Sequence, residues 1–391
     1  MNFADRVGRV SPSITLGLNA RTLELRQAGK DIVSLGVGEP DIDTPEEICQ
    51  AGIEAINRRE CRYTATAGTP ELRKAITGFV KELYGLDYQV NEVMASNGAK
   101  QVLYNSVLAT VDRGDDFLIP SPYWTSYPEM VYLAGANPII VKTSASNNFK
   151  LTPEALEAAI TPKTRAILFN SPSNPTGVAY TRRDLEGLAA VLAPRDIWIL
   201  SDDIYNALLF DGHTFSCFAH FPDLREKTIL INGVSKAFSM TGWRIGFAAS
   251  SKSAIAAMTK IQDHSTSCPS AISQKAAAAA MRMGPVVTSQ WIASLAQRRE
   301  LMVDLVRKIP GLAVTPPQGA FYLWVDVSAY LNKGAGSNTL ELAERLLVDA
   351  GVAVVPGEAF GEAGFLRLSF ACSDEQIHEG ISRMGRFLTA L

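Results

Sequence analysis

Ser235-Lys236-Ala237-Phe238-Ser239-Met240-Thr241-Gly242-Trp243-Arg244-Ile245-Gly246-Phe247 follows the apolar run Thr228 to Ile231, and the rest of the chain takes its meaning from this stretch. A lysine attacks a carbonyl only as the neutral amine, so a catalytic lysine needs apolar or cationic surroundings that lower its pKa. Small and hydroxyl neighbours and an arginine eight residues on suit that need. Arg244 can supply the cation and grip a phosphate with its planar fork. Taken alone, the stretch reads equally as a buried turn carrying a surface ion pair.

The 391 residues set a soft expectation of two or three domains at about 150 residues each. A content of 47% hydrophobic and 20% charged residues is that of a globular enzyme with a large core. The net charge of −3 gives no electrostatic reason to expect nucleic acid or an anionic membrane, which leaves small molecules as the expected partners. Five cysteines (Cys49, Cys61, Cys217, Cys268, Cys372) are scattered without a CxxC pair, which points to a reducing compartment and away from structural zinc. The histidines, His213, His220, His264 and His378, lack metal-ligand spacing, so no metal site is expected. Met1-Asn2-Phe3-Ala4-Asp5-Arg6 has no apolar signal region and no run reaches the ~18 apolar residues of a membrane span, so a cytoplasmic protein is expected.

Outward from the lysine, short apolar runs alternate with helical periods. Strands are expected at 116–119, 165–169, 197–201 and 228–232, with helices between them and one at 98–111. That alternation implies a mostly parallel sheet covered by helices on both faces, with sites in the loops at the carboxyl ends of its strands. Asn170 to Gly177, Asp202 to Tyr205 and Lys236 all fall in such loops. Before the sheet, a helical pattern spans Leu16 to Gln27, and Gly36-Val37-Gly38-Glu39-Pro40-Asp41 lets backbone approach something closely. Thr44-Pro45-Glu46-Glu47 and Thr69-Pro70-Glu71-Leu72 each read as an N-cap with proline at the first helical position, the second opening a helix to about Leu83. After Gly284-Pro285 a long helix to about Lys308 leads into strands at 312–315, 321–327, 352–355 and 365–370, with helices at 339–350 and 374–389. The expected architecture is α/β: a large domain over 46–286, and a smaller α+β domain formed by 1–45 and 287–391, with a site at their junction.

The loop residues have chemical options. Gly98 and Ala99 at a helix start offer free amides to an anion. Trp124 can stack on a flat ring or be a half-buried core residue. Asn174 can donate to a ring oxygen or simply make an Asn-Pro turn. Asp202, ending a buried strand, needs a partner, and a protonated ring nitrogen would serve. Tyr205 lies three residues on and can reach the same ring.

From about residue 11 onward the chain resembles the class I aminotransferases of pyridoxal-phosphate fold type I, especially the bacterial aspartate/prephenate subgroup. The motifs are Gly38-Glu39-Pro40-Asp41, Tyr63 with Ala67 to Arg73, Asn97 to Gln101, Ser121 to Trp124, Asn174 to Gly177, Asp202 to Tyr205, Ser235 through Gly246, Pro317 to Tyr322 and Arg367-Leu368-Ser369. The resemblance implies pyridoxal 5′-phosphate held by Lys236 as an internal aldimine, the freed lysine then moving the substrate proton. It implies Asp202 beside the pyridinium nitrogen, Asn174 and Tyr205 on the ring oxygen, and Trp124 stacked on the ring. It implies a phosphate cradle of Gly98, Ala99, Ser235 and Arg244, completed by Tyr63 across a homodimer. For substrate it implies Arg367 and Gly38 on the α-carboxylate, with Lys100, assisted by Thr15, on the distal carboxylate of aspartate or glutamate. Cis peptides at Ser121-Pro122 and Asn174-Pro175 are implied as well.

Some positions depart from the family pattern. Asp203 stands where glutamate is usual, and Gly233 where some relatives carry a phosphate-binding serine. Asp263 to Cys268 lines the site in relatives, where His264 could touch substrate or be an interface or core residue. The implied reaction moves an amino group between aspartate or glutamate and a 2-oxo acid by a ping-pong route. Alternatives left open are another amino acid (aromatic, alanine, prephenate) and a fold type I lyase reaction. A non-enzymatic regulator domain would need a basic DNA-binding module for which the chain has no spare segment.

Overall fold

The computed structural model describes residues 3–332 and 336–391; the first two residues of the N-terminal stretch considered above lie outside them. Strand β1 (Val33–Ser34) precedes the main sheet. Seven strands form that sheet: β2 (Val93–Ser96), β3 (Asp116–Pro120), β4 (Asn137–Val141), β5 (Thr164–Asn170), β6 (Trp198–Asp202), β7 (Thr228–Gly233) and β8 (Gly246–Ala249). Their order is β2-β8-β7-β6-β5-β3-β4. The pairs among β3 to β7 are parallel, while β8 runs antiparallel to both of its neighbours. The reason lies in the connection: between β7 and β8 the chain makes only the short helix Val234–Ala237 and one turn of 3₁₀ helix. A parallel return needs a full crossover, so the strand comes back antiparallel. The central strands β6 and β7 are buried on both faces, which explains their continuous apolar character.

Helices Glu46–Asn57, Pro70–Tyr84 and Ala271–Met283 seal one side of the sheet through a core around Ile76, Phe79, Phe238 and Phe247. On the other side, Ala99–Thr110 and Lys252–Asp263 pack over Val102, Leu103, Ile229 and Met258. The helix from Pro70 starts and stops as its sequence dictates. The Thr69 hydroxyl accepts from the Leu72 amide at 3.2 Å, and Gly85 ends the helix in the left-handed conformation at φ +67°. The Thr44 expectation is corrected: the helix begins at Glu46 with Pro45 at the cap and no side-chain cap bond. Thr44 is committed elsewhere, donating to the Ser239 carbonyl at 2.7 Å and accepting from Trp243 Nε1 at 3.1 Å.

The second sheet contains β9 (Ala313–Val314), β10 (Tyr322–Asp326), β12 (Val355–Pro356) and β13 (Phe365–Ser369), all in antiparallel pairs, while β11 (Val352–Ala353) pairs in parallel with β1. The single strand expected at 352–355 is thus two strands serving two sheets. Helices Ser289–Arg307, Thr339–Asp349 and Asp374–Thr389 cover this unit. Its core also takes in Tyr205, Leu208 and Phe210 from the loop after β6, packed with Trp291, Phe321 and Leu368. The two sheets therefore meet at the carboxyl end of β6. Peptides Ser121-Pro122, Ser171-Pro172 and Asn174-Pro175 are cis.

Candidate active site

A cavity of about 560 Å³ opens where the loops after β5, β6 and β7 meet β10, β13 and the N-terminal segment. Thr15, Gly38, Ala99, Lys100, Trp124, Asn174, Asp202, Tyr205, Ser235, Lys236, Arg244 and Arg367 all line it. Two of the expected site residues do not. Gly98 lies behind Arg244, and Tyr63 is 95% exposed and outside the cavity lining. His264 is exposed at the end of its helix, and the stretch 263–268 does not line the cavity of this chain. His264 is therefore not a core residue.

Lys236 projects from the short helix after β7, and its Nζ donates to the Gly38 carbonyl. Its pKa is lowered to about 8, mainly by burial; Glu39 opposes the shift, and Arg367 and Arg244 reinforce it. An amine that titrates there is available in neutral form near neutral pH. Asp202, the last residue of β6, accepts from the Tyr127 hydroxyl at 2.7 Å and the Ile204 amide at 3.4 Å. Among the described residues no cation pairs with it, and burial raises its pKa to about 6 against the pull of those two donors.

Arg367 is its electrostatic complement. Its Nη1 donates to Asn174 Oδ1 at 2.9 Å and its Nη2 to the Gly36 carbonyl at 2.8 Å, while Nε has no partner among the described residues. Its guanidinium lies 4.3 Å from the Tyr322 ring centroid and 5.1 Å from that of Phe360. No carboxylate pairs with it among the described residues. A buried cation with a free donor is a ready carboxylate site. Lys100 sits with Nζ 4.8 Å from the Trp124 ring centroid, its pKa lowered by burial and then by Arg244.

At the opposite wall, Gly98 caps helix Ala99–Thr110 at φ +90°. A Cβ there would run into the Arg244 guanidinium, and one at Gly246 would fall on the Ala99 amide. Two glycines thus let a helix N-terminus, Ser235 and an arginine close around one spot, a donor set that fits a phosphate. Gly233 does not reach the cavity, and a side chain there would press on the Ile245 carbonyl, so this backbone has no room for serine. Asp203 is buried behind the sheet, accepts from Ser201 Oγ at 2.7 Å, and does not line the cavity.

The structure adds residues that the sequence reading left without a role. Tyr127 bonds Asp202. Asn170 accepts from the Asn174 amide at 2.8 Å and donates to the Asp202 carbonyl at 2.8 Å. Tyr322 bonds Tyr205, their hydroxyls 2.9 Å apart. No local signal distinguishes Tyr127 from the other tyrosines in the chain, whereas Tyr322 closes the Pro317 to Tyr322 motif.

The raised pKa of Asp202 makes a prediction for the cofactor-free protein. Its ordinary value of 3.8 lies below its folded value of about 6, so the fold is favoured below the first and loses stability as pH rises through the second. Between pH 5 and 8 the parent should lose about 1–2 kcal/mol more than Asp202→Asn in chemical denaturation. Equal pH dependence in the two proteins would contradict this account.

The family model Aminotransferase class I and II matches residues 30–384. The chain is 44% identical to the aspartate/prephenate aminotransferase of Cereibacter sphaeroides, covering 100% of this chain and 99% of that one. It is 42% identical to the aspartate aminotransferase of Geobacillus stearothermophilus over 100% of both chains. The crystal structure of the aspartate aminotransferase from Rhizobium meliloti superposes with a TM-score of 0.95 at 41% identity, covering 100% and 99% of the two chains. With a lone amine, an unpaired acid and a phosphate-shaped donor set gathered in one cavity, this chain belongs to the class I and II aminotransferases, enzymes that depend on pyridoxal phosphate.

Proposed function

We propose that the chain transfers an amino group between aspartate or glutamate and oxaloacetate or 2-oxoglutarate in a ping-pong exchange. The observation that carries the reading is the pair of cations, Arg367 and Lys100, lining the same cavity as the lowered-pKa Lys236. Two carboxylate sites beside one amine describe a dicarboxylic amino acid. The names of the relatives above support the same substrate class.

In this reading the Ala99 amide, Ser235 and Arg244 hold the cofactor phosphate, while Gly98, whose own amide donates to the Ser96 carbonyl at 2.8 Å, leaves room for the Arg244 guanidinium. Asp202 takes the ring nitrogen, Asn174 and Tyr205 the ring oxygen, and Trp124 the ring face. Bound there, the cofactor supplies an electron sink for the charge that develops on the substrate α-carbon. Lys236 provides the amine that attaches the cofactor and, when released, carries the proton from the α-carbon. Burial without a cation makes Asp202 receptive to a protonated ring nitrogen, and Tyr127 fixes the rotamer of its carboxylate. Arg367, its plane set by Asn174 and the Gly36 carbonyl, fixes the α-carboxylate, with Gly38 beside it. Lys100 exchanges its contact with Trp124 for the distal carboxylate, assisted by Thr15.

The exposure of Tyr63 supports a homodimer in which each Tyr63 completes the phosphate cradle of the other subunit. The separate sheets support a division into a large domain over 46–286 and a smaller one formed by 1–45 and 287–391. Among the described residues no helix is long and apolar enough to cross a membrane, and the unpaired cysteines fit a cytoplasmic setting.

The test is a visible absorbance titration of the cofactor-loaded protein. The band should be lost with aspartate or glutamate and return with 2-oxoglutarate. Loss only with other amino acids would reject the dicarboxylate reading, and release of pyruvate with ammonia would make the protein a lyase. In the same assay Lys100→Ala should raise the aspartate KM about 10- to 100-fold, as loss of a charge-assisted bond implies, and leave reaction with alanine unchanged. An unaltered aspartate KM would remove Lys100 from the substrate site.

A further inference from the structure

Tyr322 touches both ends of this site. From the first position of β10 its ring lies under the Arg367 guanidinium, 4.3 Å from centroid to cation. Its hydroxyl is 2.9 Å from that of Tyr205, and the two rings meet edge-on at 5.8 Å. The same hydroxyl borders Gly38 so closely that a Cβ there would come within 3.0 Å of it. Tyr322 is 1% exposed and Tyr205 4%. Among the described residues neither hydroxyl has another hydrogen-bond partner. One phenol therefore joins the carboxylate arginine of the smaller sheet to the ring-facing tyrosine that follows β6.

We propose that Tyr322 is a positioning residue for the transfer, donating its hydroxyl proton to Tyr205 so that the Tyr205 proton stays aimed at the cofactor ring oxygen. This rests on the reading that Tyr205 faces that oxygen. The direction of the bond follows from charge. The guanidinium stacked over the Tyr322 ring at 4.3 Å is the leading charge on its phenol, draws electron density from it and makes it the better donor, whereas Arg367 acts on Tyr205 without stacking on its ring and Lys236, 6.0 Å from that ring, can be neutral. A negative ring oxygen then completes a chain in which each bond polarises the next. The charged groups facing the pair are Arg367, Lys236, Asp202 and Glu39. The arrangement also ties the carboxylate site to the ring, because the cation that stiffens Tyr322 is the one a substrate carboxylate would neutralise.

Tyr322→Phe removes only the oxygen and tests the idea. A donor aimed at the ring oxygen stabilises the deprotonated form of the bound cofactor. Losing its support should raise the pH midpoint of the visible band of the loaded enzyme by roughly half a unit to one unit, the shift to which one neutral hydrogen bond converts. In a Tyr205→Phe background the same change should add nothing, because Tyr322 acts only through Tyr205. Melting temperature and cofactor occupancy report whether the fold is intact. A midpoint that is unchanged or lower at full occupancy, or an equal shift in the Tyr205→Phe background, would overturn the proposal. If the phenylalanine variant does not fold, 3-fluorotyrosine at 322, a stronger donor of nearly the same shape, should lower the midpoint. A midpoint that then stays or rises would overturn the proposal as well. A parent protein that forms no visible band with pyridoxal phosphate would instead refute the reading of the site.

Discussion

Lys236→Ala should leave a folded protein that takes up pyridoxal phosphate, does not bond to it, and turns over amino acids more than about 10⁴-fold more slowly. Both covalent attachment and proton transfer are assigned to this amine, and general acid-base action alone contributes about 10²–10⁴. Uptake should survive because the Arg244 cradle, Asp202 and Trp124 belong to other elements. The fold should not suffer either. Below pH 8 the folded protein must charge an amine whose pKa is depressed from 10.5 to about 8, and the variant is freed of that cost. Borohydride reduction followed by mass spectrometry should attach the cofactor to the parent and not to the variant. Turnover within tenfold of the parent would rule out the assignment of the amine.

Arg367→Ala should lower kcat/KM for aspartate by about 10²–10⁴-fold, with the visible band of the loaded enzyme kept. Removing one member of a buried charge pair costs about 2–5 kcal/mol, much of it from the charge left unpaired, here a substrate carboxylate. Arg367→Lys should rescue little, because a lysine has no planar fork to engage a carboxylate while holding Asn174 and the Gly36 carbonyl. If Arg367 only braced Asn174 and Gly36, the variant would melt earlier and lose cofactor while saturated turnover per bound cofactor stayed at the parent level. Steady-state kinetics at full occupancy decide between the two.

The fold was legible wherever residue type and spacing act locally. The capping threonine at 69, the left-handed Gly85 and the two-sided apolar runs of β5, β6 and β7 behave as their sequences imply. Strands β2, β4 and β8 left little signal, for physical reasons. β4 opens on Asn-Pro and is half-buried at the sheet edge, and β8 is made of Gly246, Phe247 and two alanines because Gly246 must lie against the Ala99 backbone. Thr44 misled because a tertiary donor, the Trp243 indole N–H, takes the hydroxyl oxygen that a cap would offer the helix, while the Ser239 carbonyl holds its proton.

By itself the sequence determined the α/β class, the order of the elements and the family, because these rest on periodicities and on motifs whose residues lie within one loop. It also brought most of the candidate residues to the right strand ends, since an alternating α/β pattern places its loops there. Only the tertiary structure decided what each residue faces. The Tyr127–Asp202 bond, the Arg367–Asn174 bond and the Tyr322–Tyr205 contact span 75, 193 and 117 positions. The exposure of Tyr63 and the lack of room at Gly233 are likewise properties of packing. A hydrogen bond needs donor and acceptor within about 3 Å and in line. That geometry is set by how two sheets and their covering helices settle against one another, and no local spacing encodes it.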